Sequence, residues 1–294
     1  MQRLPLPRFL AIAAVLALAS AKADEWVGDE DVSSYGIGVI KVFTQNSAGA
    51  PTFGATPYVF QAFINGSDLI SDATITVPGG AEFGLGADPD YIFGSVYRSA
   101  GFASLTELQM VFSSSGTYVL HFHTPLSDPE GYSVGSLSLA TVDFPVSAPQ
   151  ILGGGTWSGA EFLFNVLEEG GAITFSSFAG MVDGQDLIIL DIYSETDYHA
   201  LRITTQNPTT SFVLGADPYY GPYLVPGASY KALLTFVKVV EGDFGSVPGA
   251  SGFAYYATQT EFNFTAVPEP STYALIVLGL GVVLLPVLRR RFRR

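Results

Sequence analysis

The chain contains no cysteine, and only three histidines, three methionines and two tryptophans in 294 residues. Without cysteine there is no disulfide framework, no cysteine nucleophile, no Cys-containing zinc site and no iron–sulfur ligation. Basic residues are scarce through the middle of the chain. Between Asp24 and Ala266 only Lys41, Arg98, Arg202, Lys231 and Lys238 stand against 26 carboxylates, a net charge of −21 that the whole-chain value of −14 conceals. Such a region repels DNA, RNA and anionic lipid surfaces, so no nucleic-acid partner is expected. It is compatible with divalent cations and with cationic or neutral partners, and solubility alone also accounts for it. The chain has no Gly-x-Ser-x-Gly elbow, no P-loop and no dinucleotide fingerprint. Nor does the middle region hold a helical period over three turns.

The long apolar runs lie at the two ends. Residues 1–23 read as a secretory signal peptide. Arg3 and Arg8 precede an apolar core, Phe9 to Ala19, and Ala19-Ser20-Ala21 and Ala21-Lys22-Ala23 both fit a small-x-small cleavage site, putting the cut after Ala21 or Ala23. Signal peptidase and the secretion machinery are therefore expected partners. At the other end, Val267-Pro268-Glu269-Pro270-Ser271 leads into an uncharged run, 272–288, and then into Arg289, Arg290, Arg291, Arg293 and Arg294. At 1.5 Å per residue the run makes about 26 Å of helix, slightly short of a ~30 Å hydrocarbon core, which thinning or snorkelling arginines accommodate. Gly279, Gly281 and Pro286 are tolerated in a transmembrane helix. The arginines put the C-terminus in the cytoplasm and everything before the helix outside.

Pro-Glu-Pro, a short apolar helix and a terminal arginine cluster, in that order, resemble the PEP-CTERM sorting signal. The resemblance is confined to the tail, residues 267–294. It implies export from a bacterium with an outer membrane that makes extracellular polymer, transient membrane retention, and recognition by an exosortase-like membrane protease. Release or attachment at the cell surface follows, with exopolysaccharide and biofilm matrix as the associated setting.

From Tyr35 onward, short runs rich in Val, Ile, Thr, Tyr and Phe alternate with Gly, Pro, Asn, Asp and Ser clusters every 8–15 residues. The expected fold class is all-β, a β-sandwich ectodomain built as one large sandwich or two in tandem. Leu105–Phe112 reads as one of the strands. Tyr230–Val240, apolar on both faces, reads as a central strand. Phe253–Thr265 carries Ala254, Tyr256, Thr258, Thr260, Phe262 and Phe264 on one face and Gln259, Glu261 and Asn263 on the other, so it reads as half exposed. Leu85-Gly-Ala-Asp-Pro-Asp-Tyr91 and Leu214-Gly-Ala-Asp-Pro-Tyr-Tyr220 form an internal repeat. The division expected is a first β-rich half, 24–146, a Gly-rich linker, 147–155, and a second half, 156–266.

Candidate chemistry in the ectodomain is sparse. His121 and His123 share a strand face and could hold a transition metal, or be two polar positions on a solvent-facing side. Asp88, Asp90 and Asp217 could ligate calcium at the repeated turn, or simply cap it; no EF-hand spacing is present. No other cofactor is expected. Glu168-Glu169, or Asp191 with Glu195, could in principle serve glycoside hydrolysis, but among so many acids pairs arise by chance. Trp157 is a candidate sugar-stacking ring, although such aromatics are more often core. The leading expectation is a non-enzymatic exported surface or matrix protein. A carbohydrate-binding β-sandwich module and a secreted hydrolase are the alternatives.

Overall fold

The alternating sequence forms nineteen strands and one helix among the described residues, which in this computed structural model are 32–66, 71–87, 94–123, 132–139, 141–166, 171–194, 199–214, 216–217, 221–222, 224–243 and 250–268. In chain order these are β1 (Val32–Thr44), β2 (Thr52–Gly66), β3 (Ser71–Thr76), β4 (Glu82–Gly84), β5 (Gly86–Ala87), β6 (Gly94–Arg98), α1 (Leu105–Val111), β7 (Thr117–His123) and β8 (Tyr132–Ser138). There follow β9 (Ile151–Gly153), β10 (Gly155–Ser158), β11 (Glu161–Val166), β12 (Gly171–Phe175), β13 (Leu187–Ser194), β14 (His199–Thr205) and β15 (Ser211–Leu214). The last four are β16 (Ala216–Asp217), β17 (Gly221–Pro222), β18 (Ser229–Asp243) and β19 (Ser251–Pro268). The protein is all-β, as the residue pattern predicts.

A ten-stranded sheet forms one continuous wall, ordered β14-β13-β18-β19-β1-β2-β6-β5, with β11 and β10 attached beside the far end of β19. Its centre is β19. On one side β19 pairs antiparallel with β18, from Asp243↔Gly252 to Ser229↔Thr265. On the other it pairs parallel first with β1, Ser34↔Ser251 to Thr44↔Glu261, and then with β11, Glu161↔Asn263 to Val166↔Pro268. Two smaller sheets, β4-β3-β7-β8 and β15-β12-β9, cover the same face of this wall at its two ends.

Each cover closes its own core. In the first, Tyr35, Ile37 and Val39 of β1, Phe60 and Ile64 of β2, and Ala254 and Tyr256 of β19 meet Ile75, Tyr118, Leu120 and Leu137. In the second, Phe162 and Phe164, Ile188 and Leu190, Leu234 and Phe236, and Phe262 and Phe264 meet Ile151, Ile173, Phe175, Phe212 and Leu214. The inward face of β19 is therefore aromatic at both ends. Between them stand Thr258 and Thr260, whose hydroxyls donate to the carbonyls of Ser147 and Pro149. The segment 147–155 thus crosses over β19 where the two cores part. Gln45, 1 % exposed, fixes its far end: the side chain accepts from Ile151 N at 2.8 Å and donates to Ile151 O at 3.0 Å. At Gly154, φ is +100° and an added Cβ would stand 2.3 Å from the Ala172 carbonyl, so glycine alone lets the chain pass from one sheet to the other.

Two local expectations need correction. Leu105–Phe112 is not a strand: Leu105–Val111 is helical. Ser104 Oγ, at the N-cap, accepts from Glu107 N at 3.2 Å, and Glu107 Oε2 accepts from the N–H of the preceding residue, Ala103, at 3.1 Å, a variant of the Ser-x-x-Glu capping box. The helix delivers Leu108 and Phe112 to the first core, where Phe112 stacks on Phe60 at 4.2 Å. Nor is the last strand half exposed along its whole length: Asn263 is exposed and Glu261 half-buried, as the alternation predicts, but Gln259 is buried. Its second face is largely covered too: Phe253, Tyr255, Ala257 and Gln259 are all buried, and Tyr255 packs across the bare backbone of Gly38, where a Cβ would come within 2.3 Å of the ring. Gln259 is held by Arg98 at 3.2 Å and donates to Thr235 at 3.1 Å. As expected, β18 is central, flanked by β13 and β19.

Candidate sorting site at the end of the central strand

The alternation that places Phe262 and Phe264 in the second core continues to Ala266, which is fully buried. Its N–H donates to Ala228 O at 3.0 Å and its carbonyl accepts from Gly227 N at 2.7 Å, while Phe164 is its partner on β11. One residue earlier, Thr265 hydrogen-bonds Glu161 and Ser229. Beyond Ala266 the hold weakens. Val267 is half-buried and pairs with Asn165, and Pro268 pairs with Val166 but has no N–H to give the ladder. Val267 and Pro268, the first residues of the predicted sorting signal, thus close the central strand. Glu269, Pro270, Ser271, the run 272–288 and the arginines Arg289, Arg290, Arg291, Arg293 and Arg294 lie outside the described residues, as do Ala21 and Ala23. Among the described residues no helix is long and apolar enough to cross a membrane.

Only some of the candidate metal positions are among the described residues. Asp88 and Asp90 lie outside the described residues. Asp217 pairs with Gly221 in the two-residue strand β16. His121 sits half-buried in β7 opposite Thr74 and Ser133, and His123 pairs with Ser71. Among the described residues no three His, Asp or Glu side chains form a metal-binding group. The repeat places Leu85 against the first core and Leu214 inside the second.

Of the candidate carboxylates for hydrolysis only Asp191 is among the described residues, and it has a structural partner. Asp191 is ion-paired with Arg202 across the β13–β14 ladder; Glu168, Glu169 and Glu195 are not among the described residues. Asp186, in the segment Asp183-Gly-Gln-Asp186 that is too short for a calcium loop, is fully buried and accepts from Val182 N at 2.8 Å and Val239 N at 3.1 Å. Both bonds are to backbone, so it pins a turn to β18. Trp157 on β10 packs half-buried against Phe162 at 5.2 Å. Lys41 lies over the Phe144 ring at 4.1 Å, and burial lowers its pKa.

The fold and this site define an all-β protein whose central strand continues directly into a C-terminal signal. Residues 266–294 match the family model of the PEP-CTERM protein-sorting motif. That motif indicates an exported protein of the cell surface or extracellular space, sorted by an exosortase-type membrane enzyme. No curated protein matches the chain. Solved structures that match include a cytokine receptor complex, crystal form 1A, at 9 % identity over 80 % of this chain and 99 % of that one; its TM-score of 0.24 carries no argument.

Proposed function

We propose that this is a non-enzymatic surface or extracellular-matrix protein, exported by its signal peptide and cut within Val267–Ser271 by an exosortase-like protease. The observation that supports the reading is the match to the sorting motif, which begins where the last core residue of β19 ends. Before processing, helix 272–288 holds the chain in the inner membrane with the ectodomain outside and Arg289–Arg294 in the cytoplasm. Pro268 and Pro270 fix φ near −65° and withhold donors, so the signal stays extended, the form in which a protease reads a substrate. Glu269 is the only charge between Glu261 and Arg289 and is the natural handle for a cationic pocket.

Such a cut leaves the fold whole, because the inward aromatic face of β19 lies upstream of it. The test is fractionation of producing cells that carry tags on both sides of the motif. Wild type should yield an ectodomain lacking the arginine cluster, and Glu269→Ala and Pro270→Ala should accumulate uncut in the membrane. A wild-type chain that keeps both tags on one embedded species, or variants that fractionate like wild type, would replace this reading with a plain single-pass anchor.

A further inference from the structure

We infer that the last two β11–β19 pairs, Asn165↔Val267 and Val166↔Pro268, form a latch that must open before the tail can be processed. The inference rests on the reading that the tail is cut within Val267–Ser271. Its basis is distance. Between Pro268, where the strand ends, and Thr272, where the uncharged run starts, lie only Glu269, Pro270 and Ser271. Fully extended, three residues span about 10 Å. That is about the spacing of two packed sheets, ~10 Å. A protease that grips an extended segment needs protein on both sides of it. A membrane-embedded protease reaches the segment from the bilayer side, and with the latch closed the wall it needs on the other side would overlap the second core. Opening two pairs adds about 7 Å of free chain.

The ladder is built to give way there and no further. Pro268 contributes no N–H to it, and Val267 is only half-buried. One residue upstream, Ala266 has no exposed surface and is bonded to both Gly227 and Ala228. The opening therefore ends at Val267, and both cores stay closed while it happens. The boundary between fixed and releasable strand falls at the first residues of the sorting motif.

A reversible lock tests this. Asn165 and Val267 are direct partners, and neighbouring strands lie about 4.8 Å apart, inside the Cα range for a disulfide. The chain has no other cysteine to interfere. In pulse–chase of the producing cells, the Asn165→Cys/Val267→Cys chain should be processed at least tenfold more slowly when oxidised and return with dithiothreitol to the rate of the Val267→Cys single variant, which sets the reference because Val267 belongs to the sorting signal. Asn165→Cys alone, outside the signal, should be processed like wild type. Inserting Ser-Gly-Ser-Gly between Val267 and Pro268 should make processing insensitive to the lock. An oxidised, locked chain cut at the wild-type rate overturns the latch and leaves the sorting reading intact. So does slowing that reductant fails to relieve, or slowing that persists with the spacer. A wild-type chain that is never cut sinks the sorting reading and the latch with it.

Discussion

Shortening β19 measures how far upstream the chain can be cut. Consider two ectodomains, one ending at Pro268 and one at Asn263. The first keeps every buried side chain of the strand. The second loses Phe264, 2 % exposed, and Ala266, fully buried. Removing a core phenylalanine costs about 3–5 kcal/mol. The two backbone bonds of Ala266 with Gly227 and Ala228 add about 1 kcal/mol each. The loss is therefore about 6 kcal/mol, against a total stability of about 5–15 kcal/mol for a domain. Followed by tryptophan fluorescence in urea, with an m-value of about 3 kcal/mol/M, the midpoint should fall by about 2 M. Coincident midpoints would refute the claim that β19 is a structural member to its last turn inward, and would free the processing site to lie upstream of Ala266.

Two further perturbations address the interior. Tyr256, buried and donating to Leu139 O at 2.8 Å, has its hydroxyl pKa pushed up to about 12 by burial. The folded value exceeds the unfolded value of about 10, so the stabilisation is complete below pH 10 and is lost as pH rises through about 12. Urea midpoints measured from pH 9 to 12 should fall across that window, and Tyr256→Phe should reduce the fall without abolishing it, because burial also raises Tyr118 and Tyr255, while costing about 1 kcal/mol at pH 8 through the lost hydrogen bond. Gly38→Ala should cost about 1–3 kcal/mol, read from the same titrations, because the new methyl meets the Tyr255 ring.

The strand pattern was legible because period-two alternation reports which side chains share a face. Ala254, Tyr256, Phe262 and Phe264 do line one side of β19, and the two-sided apolar run of β18 does mark an interior strand. Alternation does not report whether the second face is covered. Gln259 reads as solvent-facing, yet it is buried beside Arg98 and Thr235, because those residues lie far away in the chain and only the sheet order brings them to it. The helix at Leu105–Val111 is too short to show a period, and its signature was the Ser104–Glu107 cap instead. At the sorting site the three-part signal can be read directly from the residues. Its overlap with a core strand cannot, because Val267 and Pro268 look like the start of a spacer until the pairing with β11 is known.

The register of β1 with β19 ties the start of the ectodomain to its end, Ser34 beside Ser251. On a chain that crosses the membrane N-terminus first, β1 emerges early and waits for the last strand. Until β19 arrives, β1, β11 and β18 each present an unfilled ladder, the kind of edge that invites pairing with another chain. Long-range pairing of this type is slow. On the proposed reading, the strand that closes all three edges is also the one joined to the uncharged run 272–288, so it would reach the outside only as that run enters the bilayer. Under that reading maturation is ordered in time: the ectodomain would complete its fold while still tethered, next to the membrane in which its processing enzyme resides.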